Sequence, residues 1–426
     1  MLFNKDKTTL ICYPAGKEDK SYTVPDTVTA IGDFAFNSNV SLTLITLPEG
    51  VTSIGEDAFG WCGALRSIVL PQSLSEIGAY AFYECDSLEC IGYCGETLEE
   101  WRSITIDEED DGNECLSEDK LVFTPYVHDV SLTLDRSVGV NFYMTLSSDA
   151  EKVIMNGPSG KDEFLVAEAK VVDGYYCFTY QTSAKDIDSE ITLEVLDASG
   201  ERMNLTNESA EANGTLLYSV RKYLEYVQKY EKSSESLIAL ASVMGSYGTA
   251  AKAYFAGETV SYDGDNADEI NEALSDYAPA TAGTGADYYG SSLLLKENIT
   301  LRHYFTSDPG EVTVSDGEDT WTLTATPKDG FWYVDIEGIA PAELDTIYTV
   351  SVGDWSLSYG VFSYCYKAMQ SGSDNLKALV ENLYEYHLAA RDYFPADEDE
   401  DEEDGKLVIV PPGIIPPTGP TVTIES

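Results

Sequence analysis

Histidines, cysteines and closely spaced carboxylates are the side chains in this 426-residue sequence that would reveal catalysis or metal binding. Of the three histidines, His128 precedes the first strand of a predicted unit, His303 falls in a strand and His387 falls in a helix. No pattern of nucleophile and carboxylate links them, and the sequence contains no HExxH, GxSxG or phosphate-loop motif. We therefore predict no catalytic residues and no enzyme activity.

The cysteines do not form a metal-binding or disulfide pattern. There is no CxxC pair, and no histidine lies near the cluster formed by Cys85, Cys90 and Cys94, so a zinc site is not indicated. Cys62 and Cys85 are 23 residues apart, which predicts that they stack as small buried residues rather than form a disulfide or bind a metal. The eight cysteines stand at positions 12, 62, 85, 90, 94, 115, 177 and 365.

The segment beginning Asp263-Gly-Asp265-Asn266 has two interpretations. Oxygen ligands at alternate positions suit calcium, but the sixth position is not Gly and Leu274 occupies the twelfth position, where a Glu is required. The alternative is that Asp265 or Asn266 caps a short helix near 270–274, and the sequence favours this interpretation. We expect no metal and no cofactor.

The net charge is −50, from 75 acidic and 25 basic side chains. Such a charge repels phosphate backbones and anionic lipid surfaces, which argues against nucleic acid or a membrane surface as a partner. The hydrophobic fraction of 43% is enough for buried cores, and no apolar run is long enough for direct membrane insertion. Acidic residues are densest between the predicted domains, and we expect their repulsion to hold the domains apart in an extended chain.

The first quarter of the chain contains a repeat with a period of 23 residues. The segments 25–36, 48–59 and 71–82 share the pattern P-x-x-V/L-x-x-I-G-x-x-A-F. Alternation of side chains around 44–47 predicts a strand that ends at Pro48, which cannot donate to a sheet. A single turn could bury its apolar side chains only against its neighbours, so the repeat predicts a solenoid.

This motif resembles the BspA-type leucine-rich repeats of bacterial surface proteins, over residues 2–106. Residues 2–17 resemble the opening turn of such arrays, and residues 95–101 resemble the closing turn, in which an aromatic residue covers the core. The resemblance implies a secreted or cell-surface location and adhesion to host or neighbouring cells. The N-terminal residues show no signal peptide. Because the opening turn of this family often lies inside a longer protein, the resemblance implies an export signal upstream of Met1.

A longer repeat occupies the rest of the chain. The segment 131–143 matches 292–304, and the Asp-Gly pairs at 173–174 and 329–330 each precede alternating aromatic residues, which is typical of a hairpin. Residues 237–255 and 376–394 share apolar positions at helical spacing. The predicted fold is thus a β-rich leucine-rich-repeat solenoid followed by two homologous α+β domains of antiparallel strands and a helical hairpin. The pair resembles a module that follows BspA-type repeats in secreted Firmicutes proteins.

Changes in composition predict the domain boundaries. The tail has an acidic run at 397–404, and Ile415-Pro-Pro-Thr-Gly419 only loosely resembles a sortase signal, so we interpret the tail as a spacer. The predicted organisation is repeats at 1–106, an acidic linker at 107–125, α+β unit 1 at 126–258, an acidic linker at 259–290, α+β unit 2 at 291–396 and the tail at 397–426.

The predicted function is binding without catalysis, because a solenoid presents repeated exposed positions to a partner. The expected partner is an extracellular protein or glycan. The alternatives are a structural spacer of a larger cell-wall protein, or a non-catalytic fragment of a carbohydrate-active enzyme. The sequence leaves the oligomeric state undetermined. Strand alternation predicts an exposed, partner-binding face formed by Ser21, Thr23, Leu44, Thr46, Ser67 and Val69.

Overall fold

A computed structural model describes most of the chain. The described residues are 1–107, 112–133, 138–206, 214–230, 233–259, 262, 264–279, 285–295, 298–394 and 408–409. Within them, a β-solenoid is followed by two units of antiparallel sheets and helices, as predicted. Asp263 of the calcium-like segment, the acidic run at 397–404 and the sortase-like residues 415–419 lie outside the described residues.

Short strands stack turn on turn into the two sheets of the solenoid. One sheet contains, in spatial order, β1 (Leu2–Phe3), β2 (Thr9–Cys12), β4 (Ala30–Ile31), β6 (Ser53–Ile54), β8 (Glu76–Ile77) and β10 (Thr105–Ile106). The other contains β3 (Ser21–Thr23), β5 (Leu44–Thr46), β7 (Ser67–Leu70), β9 (Cys90–Tyr93) and β11 (Leu121–Phe123), all parallel. Leu44 pairs with Ser21 on one side and Ser67 on the other, so the strand register follows the 23-residue period.

The interior of the solenoid is a stack of side chains that recur once per turn. Phe36, Phe59 and Phe82 are buried, and successive ring centroids lie 4.9 and 4.8 Å apart in a stacked arrangement. Cys62 and Cys85 are also buried beside this stack, where each thiol donates a hydrogen bond to a carbonyl of the preceding turn. Both are free thiols, which confirms the prediction that they are small core residues.

A short helix closes the end of the solenoid. Helix α1 (Leu98–Arg102) begins with a capping box, in which the Thr97 side chain accepts from the Glu100 N–H and the Glu100 carboxylate accepts from the Thr97 N–H. This cap orients Trp101, which is buried and packs edge-on against Tyr93 at 5.6 Å. The prediction of an aromatic cover over the last turn is confirmed.

The first α+β unit has two antiparallel sheets and two helices. The first sheet runs β16 (Lys170–Val172), β17 (Tyr175–Thr182), β13 (Val138–Thr145) and β12 (Tyr126–Thr133), and the backbone of β29 (Val408–Ile409) pairs with β12. The second runs β15 (Gly160–Leu165), β14 (Ala150–Gly157) and β18 (Ile191–Asp197), with β19 (Arg202–Met203) and β20 (Leu216–Tyr218) on β18. The helices are α2 (Val220–Lys229) and α3 (Glu235–Ala256).

The second unit repeats this arrangement after the intervening helix α4 (Ala267–Leu274). Its first sheet runs β21 (Tyr288–Leu295), β22 (Ile299–Phe305), β26 (Phe331–Ile339) and β25 (Thr326–Lys328). Its second runs β24 (Thr320–Thr324), β23 (Glu311–Ser315), β27 (Ile347–Val352) and β28 (Trp355–Gly360). The helices α5 (Val361–Ser371) and α6 (Asp374–Tyr393) follow.

The same side-chain contact occurs in both units at positions that the sequence repeat aligns. A hydrogen bond joins the hydroxyls of Ser131 and Tyr143 at 3.1 Å, and the Ser292 hydroxyl donates to the Tyr304 hydroxyl at 3.3 Å. These bonds cross between the first two strands of each unit and therefore set the register of those strands. The longer repeat is structurally real, and the residues of one unit can be compared with those of the other.

Helix α4 modifies the prediction for the second acidic segment. The helix begins after Asn266, as the favoured interpretation required. The Asn266 side chain nevertheless makes no capping hydrogen bond. Ile270 and Leu274 are buried, which indicates that apolar packing fixes this helix instead.

The two α+β units share one continuous buried core. Helix α3 packs against α6, and the rings of Tyr247 and Tyr386 stack across this contact with centroids 5.3 Å apart. The same core includes Leu44 and Val69 of the solenoid. The expectation that acidic joints hold the domains apart is therefore wrong, because the apolar surface buried between domains outweighs repulsion between solvent-exposed charges.

Candidate partner-binding surface

The strand face that the sequence predicts to be exposed is largely buried in this structure. Ser21 is half-buried and Thr23 is exposed on the edge strand β3. The other four side chains are at most 1% exposed, so the prediction that they face solvent is wrong: Leu44, Thr46, Ser67 and Val69. Strand alternation itself is present, but both faces of these strands are covered.

The first α+β unit covers this strand face. Ile45 and Ile68 point into the solenoid core, whereas Leu44 and Val69 point outward and join the core of the α+β units. At Gly92, an added Cβ would lie 2.5 Å from the Thr145 side chain of β13, which shows how closely the two surfaces approach. The repeats therefore use this face to bind their own chain.

A buried polar contact lies at the centre of the interface between the solenoid and unit 1. The Cys90 sulfur lies 3.4 Å from Nε2 of His128, and a 2.7 Å hydrogen bond joins that nitrogen to the Thr145 hydroxyl. Burial lowers the pKa of His128 to about 3 and raises the pKa of Cys90 to about 11. The pair is therefore neutral near pH 7 and serves as a satisfied polar contact. His128 lies within β12, not before it as the sequence suggested.

The hairpin turn of unit 1 also touches the repeats, whereas the matching turn of unit 2 does not. Asp173 and Gly174 have φ values of 50° and 88°, and Asp329 and Gly330 have 51° and 86°, which confirms both predicted hairpins. A Cβ at Gly174 would lie 2.8 Å from Cβ of Arg66 and 2.9 Å from a backbone oxygen. At Gly330, no heavy atom of the described residues other than its chain neighbours would lie within 4 Å of such a Cβ.

This difference yields a matched pair of substitutions. Gly330→Ala is expected to cost about 1 kcal/mol, because alanine is strained at positive φ. Gly174→Ala has the same strain and also overpacks the interface, so its cost should be larger by about 1–3 kcal/mol. Urea unfolding of both variants measures the difference. Equal losses of stability would show that the turn of unit 1 does not pack against the repeats.

The corners of the solenoid turns carry exposed aromatic side chains that sequence reasoning missed. The aromatic corner consists of Phe34, Trp61 and Tyr83, which are 55%, 53% and 37% exposed. Trp61 and Tyr83 pack edge to face at 5.6 Å. These residues lie close to the Ala-Phe pair of their own turn, at positions that carry other residue types in the other turns. The repeat pattern therefore does not reveal them.

The backbone conformation of the corner explains why these side chains point outward. Phe34 and Trp61 have φ values of 58° and 62°, which are uncommon for bulky residues. In this conformation the Phe34 N–H donates to the Glu56 carbonyl, and the Trp61 N–H donates to the Tyr83 carbonyl of the next turn. The bonds between turns stabilise the strained conformation and fix the rings on the surface.

A serine–histidine pair in unit 2 lacks the orienting partner of a catalytic triad within the described residues. The Ser291 hydroxyl lies 2.8 Å from Nδ1 of His303 and 2.6 Å from the Tyr288 hydroxyl, beside a cavity of about 370 Å³. The other ring nitrogen, Nε2, is buried and has no hydrogen-bond partner among the residues that the structure describes. Burial lowers the pKa of His303 to about 3, so it is a poor general base near neutral pH.

Neither a metal-binding cluster nor a membrane-spanning helix is found in the described residues. Within the described residues, no group of three or more His, Cys, Asp or Glu side chains is placed to hold a metal ion. No helix in the described part of the chain is both long enough and apolar enough to cross a membrane.

Comparison with known proteins identifies the repeat region. The sequence model of the BspA type leucine-rich repeat region matches residues 15–103 in six copies. Residues 15–103 are BspA-type leucine-rich repeats. This match confirms the resemblance and lies within the solenoid described above. No curated protein matches the chain.

Several solved structures are similar to the BspA-type repeats of this chain. A leucine-rich repeat protein from Eubacterium ventriosum is 33% identical over 22% of this chain and 25% of its own, with a TM-score of 0.21. The pneumococcal vaccine antigen PcpA is 29% identical over 21% and 28%, with a TM-score of 0.20. A leucine rich cell surface protein from Faecalibacterium prausnitzii is 25% identical over 23% and 38%, with a TM-score of 0.16. The chain thus spans about a quarter of the first two proteins.

Proposed function

We propose that this chain is a non-catalytic bacterial surface protein whose BspA-type repeats bind an extracellular protein or glycan through the aromatic corner. The observation that carries the proposal is the exposure of Phe34, Trp61 and Tyr83 in the turns that follow β4, β6 and β8. The match to BspA-type repeats supports the surface location. Ser21 and Thr23, on the accessible edge strand, extend the candidate surface beyond the corner.

The chemistry of the corner suits molecular recognition. Tryptophan and tyrosine are enriched at binding sites because they supply a large contact area with few rotatable bonds. The strand face is unsuited to an outside partner, since unit 1 already covers Leu44 and Val69. The overall charge of −50 disfavours polyanionic partners, so we expect a neutral or basic surface on the ligand.

A Trp61→Ala variant tests the proposal. The full chain is applied to an array of extracellular matrix proteins and glycans, and the dissociation constant is then measured for each ligand that binds. We expect Trp61→Ala to weaken the binding of at least one of these ligands at least about tenfold, as for a central aromatic contact. The control is Phe255→Ala, which removes an aromatic side chain that is 50% exposed at the end of α3.

The array also separates this proposal from a scaffold role. Unchanged binding of every ligand in the Trp61→Ala variant would refute the corner as the binding surface. A blank array would favour the alternative that the chain is a structural spacer. The continuous core that joins the repeats to both units is consistent with such a rigid spacer.

A further inference from the structure

Unit 2 contains a counterpart of the surface through which unit 1 packs against the solenoid. In unit 1, the rings of His128 and Tyr175 lie 4.4 Å apart at the interface with the repeats. The alignment set by the Ser131–Tyr143 and Ser292–Tyr304 contacts places Tyr289 at the position of His128. Phe331 follows its Asp-Gly turn as Tyr175 does, and it lies 4.6 Å from Tyr289.

This ring pair is covered in unit 1 and open in unit 2. Tyr289 is 67% exposed and Phe331 is half-buried. Gly330 beside them has no heavy atom of the described structure within 4 Å of an added Cβ, whereas Gly174 of unit 1 is pressed against the repeats. This end of unit 1 thus docks against the repeats. The matching end of unit 2 has no occupant in the described part of the chain.

The exposed pair continues into a row of rings across the sheet of unit 2. The centroids of Phe331 and Tyr304 lie 6.3 Å apart, and those of Tyr304 and Tyr333 lie 6.5 Å apart. We call Tyr289, Phe331, Tyr304 and Tyr333 the aromatic row. Tyr304 and Tyr333 are half-buried. They alternate along their strands with core residues of the opposite face, so the row lies on the face of the sheet that points away from the core.

A polar group borders the far end of the row. The Arg302 guanidinium forms two 2.6 Å hydrogen bonds with the Asp335 carboxylate and lies 3.7 Å from the Tyr333 ring centroid. The two charges compensate each other, and the side chains are only 10% and 15% exposed, so the pair adds no net charge to this end of the row. It also fixes the orientation of the Tyr333 ring.

We propose that the aromatic row is a second binding site, which takes a neutral carbohydrate. The C–H faces of sugar rings stack on aromatic rings, and several adjacent rings accommodate consecutive sugar units. Tyrosine hydroxyls and the Arg302–Asp335 pair supply the few polar groups that orient a ligand in such a site. The net charge of −50 disfavours an acidic polysaccharide.

A solenoid strand face is a less suitable occupant than a carbohydrate. In unit 1, the close fit depends on His128, which makes buried hydrogen bonds to Thr145 and Cys90. Unit 2 has the large exposed ring of Tyr289 at that position. The repeats of a second copy are also occupied, because their strand face already packs against their own unit 1.

Affinity electrophoresis of the full chain tests the site. The chain migrates through native gels that contain mixed-linkage β-glucan, xylan, galactomannan or starch, with polygalacturonate as the anionic comparison. We expect retardation by at least one neutral polysaccharide. Tyr289→Ala and Phe331→Ala should each raise the dissociation constant at least about tenfold. Phe255→Ala, which removes an exposed aromatic side chain outside both the row and the aromatic corner, should leave it unchanged.

Each possible result either supports the carbohydrate site or overturns it. Tyr289 is mostly exposed, so the variant should unfold at the same urea concentration as the parent chain, and this measurement excludes misfolding. The proposal is overturned if no neutral polysaccharide retards the chain, or if only polygalacturonate does. It is also overturned if Tyr289→Ala is retarded as strongly as the parent chain, or if Trp61→Ala alone abolishes retardation.

Discussion

Replacing Phe59 by alanine is expected to lower the free energy of unfolding of the repeat region by about 3–5 kcal/mol. Its ring is fully buried between those of Phe36 and Phe82, with which it stacks on both faces. Removal would leave a cavity in the middle of the solenoid, where neighbouring turns cannot close it without breaking their strand pairing. Urea unfolding followed by circular dichroism measures the loss.

Trp61→Ala is the control for this substitution, because Trp61 lies two residues away but is half exposed at the corner. We expect it to change the free energy of unfolding by less than about 1 kcal/mol. A loss below about 1 kcal/mol in Phe59→Ala would contradict the continuous aromatic stack. Equal losses in the two variants would contradict the assignment of one ring to the core and the other to the surface.

Substituting Val69 by aspartate is expected to separate the repeats from the first α+β unit. Val69 is fully buried in the core that the solenoid shares with this unit. A carboxylate there would lose its hydration without gaining a partner, at a cost of several kcal/mol. The solenoid interior would remain packed, since Val69 points away from it.

The separation can be read from the thiol of Cys90, which the interface buries. Modification of Cys90 by a maleimide, located by mass spectrometry, should be at least about tenfold faster in Val69→Asp than in the parent chain. The matched control is Thr23→Asp, which places the same charge at an exposed position of the same sheet and should leave the rate unchanged. Unchanged labelling of Cys90 in Val69→Asp would contradict the role of this contact.

Sequence reasoning succeeded where the structure is determined by local pattern. The 23-residue period predicted the solenoid, because each turn repeats the same pairing register. The Asp-Gly pairs predicted both hairpins, because this dipeptide adopts the two positive φ values that the turn requires. The apolar residues of 237–255 and 376–394 recur at helical spacing, and this local pattern predicted α3 and α6.

The failures concern contacts between distant parts of the chain. Alternation along β5 and β7 shows which side chains point away from the solenoid core, but it cannot show that another unit covers them. The segment predicted as an acidic linker at 107–125 likewise packs against the repeats. Strand β11 extends the sheet formed by β3, β5, β7 and β9, and Glu118 accepts two hydrogen bonds from Arg102. Charge density alone therefore could not predict whether the domains are separated.

The candidate site shows the same division. Thr23 is exposed and Ser21 is half-buried, whereas the positions of Trp61 and Tyr289 on the surface depend on the corner conformation and on which unit faces the repeats. Neither appears in a search for apolar periodicity. Only the residue-by-residue correspondence between the two units shows that Tyr289 and Phe331 match a docking position, which no described residue occupies in unit 2.

The strand face of the repeats is an internal interface, and we propose that the aromatic corner is the surface that binds a partner. Maleimide labelling of the unmodified chain tests this interface most directly, because Cys12 is exposed, Cys62 lies inside the solenoid and Cys90 lies at the interface. We predict that Cys12 reacts rapidly, while Cys90 and Cys62 react at least about 100 times more slowly. Labelling of Cys90 as fast as Cys12, with Cys62 still protected, would contradict the account.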